Sequence, residues 1–298
     1  MRELIAFDWG TSSLRAALLG AQGRLLEERA LPRGILTVAP GGFPAIFDAA
    51  CGDWMRPGGA FALLCGMVGS RQGWLEAPYC ACPAGFDELA ARLAWVEPGR
   101  IAIVPGLSCE RHGVPDVIRG EETQVFGAME LLGIGEGLFV LPGTHSKWVR
   151  ATGQRIDTFA TFMTGEFYAL LRQHSILART LPAADGELDA QAFQRGVRHA
   201  LESGNLLHAA FSARTLSLFD RLPAAALPSH LSGVVIGEEL RSQDLGALTA
   251  PLVAIGSPAL TRRYELALQV LGAPVRSVGS EATWRGLWAV AQKLKDTP

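Results

Sequence analysis

Lysine is the scarce residue of this chain. Among 27 basic side chains in 298 residues, only Lys147, Lys293 and Lys295 are lysine, and the rest are arginine. Net charge is equally thin. The 27 basic groups face 29 acidic ones, leaving −2, which speaks against a strong pull on nucleic acid or on an anionic membrane. No apolar run approaches the roughly 20 residues that span a bilayer, and Asp8 interrupts the opening MRELIAFDWG where a secretory leader needs an apolar stretch. The five cysteines, Cys51, Cys65, Cys80, Cys82 and Cys109, contain no CxxC pair. An odd count with no leader reads as reduced, mostly buried thiols in a cytoplasmic protein. Cys80 and Cys82 in YCACP are two thiols without further ligands, too few for a metal centre. Three signatures are also missing: G-x-x-x-x-G-K-[ST], G-x-G-x-x-G and G-x-S-x-G. Their absence removes the Walker loop, leaves dinucleotide binding without direct support, and disposes of a Ser-His-Asp hydrolase built on Ser146, His145 and Asp157.

What is present is apolar substance and regular alternation. At 49% hydrophobic the chain can fill a large core. ELIAFD, SLRAALL and RLLEERAL read as three strands of a meander joined by short turns. A helix in FPAIFDAACGDWM, the strand AFALLCG, a helix in FDELAARLAWV and the strand RIAIVPG follow. The pattern then restarts with a helix in EETQVFGAMELLG and strands in GLFVLPG, KWVRAT and RIDTFATF. Helices are expected in EFYALLRQHS, DAQAFQRGVRHALESG, LLHAAFSARTLSLFDRL and LSGVVIGEELRSQ. PLVAIGS, PALTRRYELALQVLG, VRSV and SEATWRGLWAVAQKLK close the chain as strand, helix, strand and helix. Two α/β lobes, each a sheet carrying helices, are the economical reading.

Twice, a strand runs into a Gly-Thr turn: DWGTSS at residues 8–13 and PGTHSK at 142–147. Turns rich in Gly, Ser and Thr let backbone N–H groups and hydroxyls converge on an anion. One such turn is weak evidence, since ordinary hairpins look the same; two, each leaving a strand in a different half, point to a nucleotide triphosphate. Asp8 either caps its own turn or attends the Mg²⁺ that accompanies ATP, since magnesium takes only one or two protein carboxylates. Lys147 stands beside the second turn in a chain that otherwise takes Arg for positive charge, which suits a compact ammonium for phosphate.

These motifs together resemble the sugar-kinase, hexokinase, heat-shock-protein-70 and actin superfamily. The resemblance implies an actin-like ATPase fold: two ribonuclease-H-like lobes, residues 1–112 with 280–298 packing back, and 113–279, with an ATP and substrate cleft between the lobes. DWGTSSLR is similar to the first phosphate motif, LPGTHSKW takes the place of the second, and residues 253–275 resemble the adenosine motif. That carries phosphate-binding roles to Gly10, Thr11, Ser12, Ser13, Gly143, Thr144, His145 and Lys147, and ATP-binding roles to Gly256 and Ser257. FDWGTSSLRA, GMVGSRQGW, PDVIRGEETQ, LPGTHSKWV and FMTGEFYALLRQHSIL narrow the resemblance to the 2-dehydro-3-deoxygalactonokinase family. The activity implied is transfer of the ATP γ-phosphoryl to the C6 hydroxyl of 2-dehydro-3-deoxy-D-galactonate. The cofactors implied are ATP and Mg²⁺, the latter on Asp8.

Phosphoryl transfer asks for positioning, charge neutralisation and a base near the attacking hydroxyl. In the kinases the chain resembles, a carboxylate at the start of the second lobe's first long helix is the base, a role the resemblance carries to Glu121 or Glu122 of RGEETQ. Glu121 is favoured because it follows Gly120 as the carboxylate follows Gly in several sugar kinases, and a shifted register selects Glu122. Acidic residues in a helix's first turn also favour its dipole without any catalytic role. For the sugar acid, Arg71 and Arg119 offer bidentate recognition of a carboxylate, Gln72 hydroxyl contacts and Trp74 an apolar wall, although Trp74 is equally an ordinary core aromatic. Arg15, on a strand, is expected to face solvent. MTGE at 163–166 either lines the sugar pocket or caps a helix. A small sugar acid is thus the expected partner, with no nucleic acid or membrane and with a homodimer left open. Two rivals stand beside this reading: a kinase for another sugar acid such as 2-dehydro-3-deoxygluconate, and a nucleotide-gated actin-like binding protein.

Overall fold

The computed structural model describes residues 3–55, 60–246 and 248–294. The chain divides into two compact units, Met1–Phe139 with Val149–Ala160 and Val278–Pro298, and Val140–Trp148 with Thr161–Ser277. The expected terminal helix SEATWRGLWAVAQKLK ends at Lys295, one residue past the described ones.

In the first unit LIAFDW forms β1 (Leu4–Trp9), buried at every position but Asp8 because it lies inside the sheet. β2 (Leu14–Leu19) pairs with it antiparallel and sets Arg15 opposite Asp8; β3 (Leu25–Leu31) continues the meander. After α1 (Phe43–Met55), β4 (Phe61–Gly66) returns parallel to β1, with Cys65 opposite Asp8 and Gly66 opposite Trp9. β5 (Cys80–Ala81), α2 (Phe86–Ala91), β6 (Ala94–Glu97) and β7 (Ile101–Ile103) follow, and the main sheet runs β3-β2-β1-β4-β7-β6. Phe7, Trp9, Phe43, Phe47 and Trp54 fill one side of it, Phe7 stacking on Phe47 at 5.1 Å. A hairpin of β8 (Leu107–Arg111) and β9 (Val114–Ile118) joins β5 in a second, three-stranded sheet, and leads into α3 (Glu121–Leu132).

The chain continues through β10 (Gly137–Leu141), β11 (Ser146–Thr152) and β12 (Arg155–Phe162). Helices α4 (Thr164–His174), α5 (Ala190–Ser203), α6 (Leu206–Ala209), α7 (Ser212–Leu218) and α8 (Leu227–Arg241) come next. β13 (Leu252–Ile255), α9 (Pro258–Val270) and β14 (Arg276–Val278) follow, and α10 (Glu281–Lys293) closes the described chain by packing on α3 in the first unit. The strand order β12-β11-β10-β13-β14 repeats the β3-β2-β1-β4-β7 order of the larger sheet. In the second unit α5 lies along α8, and Leu177, Leu227, Leu231 and Val235 make a small core.

Three local expectations are corrected. The helix read through FDELAARLAWV stops at Ala91; Ala94–Glu97 is a strand antiparallel to β7, where the β-favouring Trp95 pairs with Ala102 and Val96 sits at an irregularity of the ladder. The β8–β9 hairpin went unread, although its His112-Gly113 turn, with φ of 54° and 76°, is of the kind that matches strand twist. LLHAAFSARTLSLFDRL is not continuous, for α6 ends at Ala209 and α7 begins at Ser212.

Candidate active site

The opening strand delivers Asp8 half-buried to the carboxyl end of the main sheet, the usual location for ligands of open α/β sheets. Its Oδ2 accepts from Arg15 Nη2 at 2.5 Å, and the Arg15 guanidinium lies 5.3 Å from the centre of the Trp284 ring. Arg15 therefore does not simply face solvent; it is the counter-charge of Asp8. The turn after Asp8 is closed by Gly10 N–H donating to the Ser13 carbonyl at 2.9 Å. Ile35 and Leu36 N–H brace it by donating to the carbonyls of Gly10 and Thr11, and the side chains of Thr11, Ser12 and Ser13 are exposed.

Gly66, at the end of β4, joins this turn to the acidic start of α3. A Cβ on Gly66 would stand 2.9 Å from the Trp9 carbonyl and 3.5 Å from Asp8 Oδ1, so its lack of a side chain leaves the space beside that oxygen open. Gly120, at φ 105°, packs so closely that its own Cβ would meet Gly66 Cα at 3.1 Å. The two glycines thereby bring Glu121 and Glu122 to the end of the strand beside Asp8, and Asp8 and Glu122 both raise the pKa of the buried Cys65 thiol between them, after burial itself.

The two glutamates differ sharply. Glu121 is half-buried, and its Oε2 accepts from Arg119 N–H at 2.8 Å. Glu122 is 0% exposed; both of its oxygens accept from Gly120 N–H, at 2.9 and 2.7 Å. Burial, then the neighbouring Glu121 charge, pushes its pKa up to about 8. Glu122 thus favours its protonated form at neutral pH.

The expected sugar-acid residues are spread over the loop after β4 and the hairpin. Arg71 is 88% exposed and pairs with Glu76 at 3.1 Å, with Gln72 exposed beside it. Trp74 stacks with Phe43 at 6.4 Å and packs against the aromatic core. The Arg119 guanidinium lies 4.3 Å from the Tyr79 ring centre and donates from Nη2 to the Ala77 carbonyl, while its Nε and Nη1 are buried with no hydrogen-bond partner.

In the second unit the Gly143–Lys147 turn leans on the start of α4. Gly165 packs against it so tightly that a Cβ there would be 2.5 Å from the Gly143 carbonyl, and Glu166 N–H donates to the Thr144 carbonyl at 2.9 Å. His145 Nε2 and Glu166 Oε2 are 2.5 Å apart. MTGE is thus the beginning of the helix and a support of the turn at once. Lys147 is only 6% exposed, and its Nζ donates to the His145 carbonyl at 2.9 Å, bracing the turn. A cavity of about 200 Å³ opens beside Gly143, lined also by Thr164, Ser232, Ile236, Leu260 and Arg263. Gly256 abuts Pro142, another of its lining residues, and Ser257 with Pro258 starts α9 there.

Sequence reasoning passed over Arg15, Gly66, Glu166 as the partner of His145, and Glu239. The alternation of β1 and β2 could have paired Arg15 with Asp8; Glu239 sits in a helix of apolar and acidic residues with nothing in the spacing to single it out. Among the described residues there is no cluster of three or more metal-ligating side chains, and no helix is long and apolar enough to cross a membrane.

Residues 8–290 match the family model for 2-keto-3-deoxy-galactonokinase. The chain is 39% identical over 295 residues, covering 97% of itself and 96% of its relative, to a Rhizobium meliloti (strain 1021) protein named a probable 2-dehydro-3-deoxygalactonokinase. To the 2-dehydro-3-deoxygalactonokinase of Escherichia coli (strain K12) it is 35% identical, covering 97% and 98%. A crystal structure of a Sinorhizobium meliloti protein provisionally given the same name superposes with a TM-score of 0.89 at 38% identity, over 97% of this chain and 98% of that one. The fold alone is shared with a Porphyromonas gingivalis protein provisionally named N-acetylglucosamine kinase, at a TM-score of 0.50 and 16% identity over 97% and 99%. The expected α/β fold of the actin-like sugar kinases is borne out.

Proposed function

Because the chain belongs to the 2-keto-3-deoxy-galactonokinase family, we propose that it moves the γ-phosphoryl of ATP onto the C6 hydroxyl of 2-dehydro-3-deoxy-D-galactonate. Family membership makes it a sugar kinase that uses ATP and acts on a small molecule. The observation that carries the finer reading is the packing of Gly120, the residue before Glu121, against Gly66, which lies beside Asp8 at the end of β1 and β4.

Glu121 is the base. It is the accessible member of the acidic pair, fixed by the Arg119 N–H, and its carboxylate can take the proton of the attacking hydroxyl. Glu122, buried and holding a proton, supports the helix start and adds no second charge beside Glu121. Asp8 suits Mg²⁺: one oxygen is held by Arg15, and the other borders the space that Gly66 leaves open. There the ion would supply charge neutralisation for the phosphates, with most of its ligands coming from them and from water. Gly10, Thr11, Ser12 and Ser13 are phosphate ligands, as are Gly143, Thr144 and His145, while Lys147 holds the second turn in shape from behind. The nucleobase lies in the cavity beside Gly143, with Gly256 and Ser257 toward the ribose. Arg71, whose fork is exposed, reads the sugar-acid carboxylate, with Gln72 on its hydroxyls. Arg119 and Trp74 support that loop from inside.

The test is ADP release with ATP, Mg²⁺ and 2-dehydro-3-deoxygalactonate, run beside the gluconate epimer and neutral sugars. Turnover with the galactonate derivative is expected, and ADP release indifferent to every sugar acid would sink the proposal. Glu121→Gln should lower kcat by about 10²- to 10⁴-fold, the usual reach of a general base, without moving the melting temperature. Asp8→Ala should fold and lose transfer. Glu122→Gln should fall far less than Glu121→Gln; the reverse ranking would exchange their roles.

A further inference from the structure

Deep in the second unit one carboxylate gathers three elements. Glu239, on α8, is 3% exposed. Its Oε2 accepts from Ser146 Oγ at 2.7 Å and from Thr164 Oγ1, and its Oε1 accepts from Trp148 Nε1 at 2.6 Å. The Tyr264 hydroxyl reaches both oxygens at 2.9 Å. Ser146 and Trp148 belong to β11, Thr164 opens α4, and Tyr264 is on α9. An ionised carboxylate offers about four lone-pair sites and no donor, which is the complement of four converging donors.

The same donors border the proposed ATP residues on their other side. Ser146 directly follows His145 in the Gly-Thr turn, and Thr164 and Tyr264 both line the cavity beside Gly143. Glu239 is not itself among the residues lining that cavity; it reaches the cavity through Thr164 and Tyr264, and the turn through Ser146. For stability alone an apolar cluster would serve as well, since burying a carboxylate is expensive even when it is well paired, and burial does push the Glu239 pKa up. What the carboxylate adds is direction: each donor must point to one place.

We propose that Glu239 is a positioning residue for ATP, holding the Gly143–Lys147 turn, the start of α4 and α9 in the single arrangement that fits the nucleotide. The proposal rests on the kinase reading above. Displacing a phosphate turn by a fraction of an ångström should weaken the nucleotide while leaving the sugar acid, bound by other residues, unaffected.

The experiment is steady-state kinetics of Glu239→Gln and Ser146→Ala with each substrate varied, together with calorimetric titration of Mg²⁺-ATP. Glu239→Gln keeps the shape but replaces one acceptor oxygen by a donor. It should raise the KM and the dissociation constant for ATP about tenfold or more and leave the KM for the sugar acid within twofold. Ser146→Ala, which removes one donor, should shift ATP in the same direction by a smaller factor. A merely structural Glu239 would lower the melting temperature and leave both KM values alone, and ATP parameters within twofold of wild type in the folded variant would overturn the proposal. Should Glu239→Gln fail to fold, Ser146→Ala decides by the same criterion. A wild-type protein that binds ATP but does not phosphorylate the sugar acid would sink the substrate reading, and the calorimetric arm would still judge Glu239.

Discussion

Glu122 and Glu239 are both glutamates buried in helices, one in each unit, and their surroundings treat them in opposite ways. Glu122 meets only backbone N–H groups, its own and that of Gly120, with the charges of Glu121 and Arg119 nearby. Glu239 meets two aliphatic hydroxyls, an indole N–H and a phenol. Burial raises both pKa values, but only for Glu239 do side-chain donors pull back toward the charged form. A donor-poor pocket stores a proton; a donor-rich one fixes the donors. The first arrangement fits a place where a second negative charge beside the proposed base would hinder, and the second a place where several elements must keep one geometry.

The largest effect that separates them is on stability. Glu239→Leu removes the shared acceptor and leaves buried donors behind, among them the Trp148 N–H, which cannot turn round to accept. Each orphaned buried group costs about 1 to 3 kcal/mol, so the variant should lose several kcal/mol in urea unfolding at pH 7. Glu122→Leu orphans only backbone N–H groups at the start of α3, those of Gly120 and of residue 122 itself, and removes a carboxyl that resists ionisation, so its loss should be smaller. Equal losses in the two variants would break the comparison.

How much of this was legible in the sequence follows from where the signal lay. The Asp8 turn and the PGTHSK turn were visible because small polar residues at strand ends have few other reasons to occur together. The main strands were legible from their apolar runs, and the acidic pair at the start of α3 from its position after Gly120. The β8–β9 hairpin and the short strand at Ala94–Glu97 were not: both pair with close neighbours in the chain, but these strands are short and largely exposed, so no buried apolar run marks them. Nor could spacing reveal that Arg71 is exposed while Arg119 is clamped between Tyr79 and the Ala77 carbonyl. Glu239 lay furthest from view: its four donors come from Ser146, Trp148, Thr164 and Tyr264, and convergence of that kind exists only after folding.

A second, smaller contrast lies in pH. The folded-state pKa of Glu122, about 8, stands above the value of an unfolded glutamate. The native state therefore binds the extra proton between roughly pH 4.5 and 8, and by linkage its stability falls as pH rises through that window. The contribution is fully present below the unfolded pKa and gone above the folded one. Glu122→Gln, neutral at every pH, should flatten this part of the profile, so that the variant gains on wild type as pH goes from 5 to 9. Parallel profiles for the two proteins would mean that Glu122 is ionised in the native state, and would erase the difference from Glu239.

The smallest effect is the most pointed, because it makes Glu239 resemble Glu122 by degrees. Tyr264→Phe keeps the buried ring and deletes only the hydroxyl that bridges both carboxylate oxygens. At acid pH, where Glu239 can hold a proton and needs fewer donors, the loss should be small. As pH rises the carboxylate must ionise with three donors instead of four, and its folded pKa is higher than in wild type. A raised carboxylate pKa takes stability away with rising pH, so the penalty of the variant should grow as pH rises and Glu239 ionises, reaching about 1 kcal/mol, the ordinary worth of one hydrogen bond. Urea unfolding at one acid and one alkaline pH reads it directly. A penalty that is the same at both would mean that the phenol packs without holding charge, and that Glu239 keeps its geometry through the remaining donors alone.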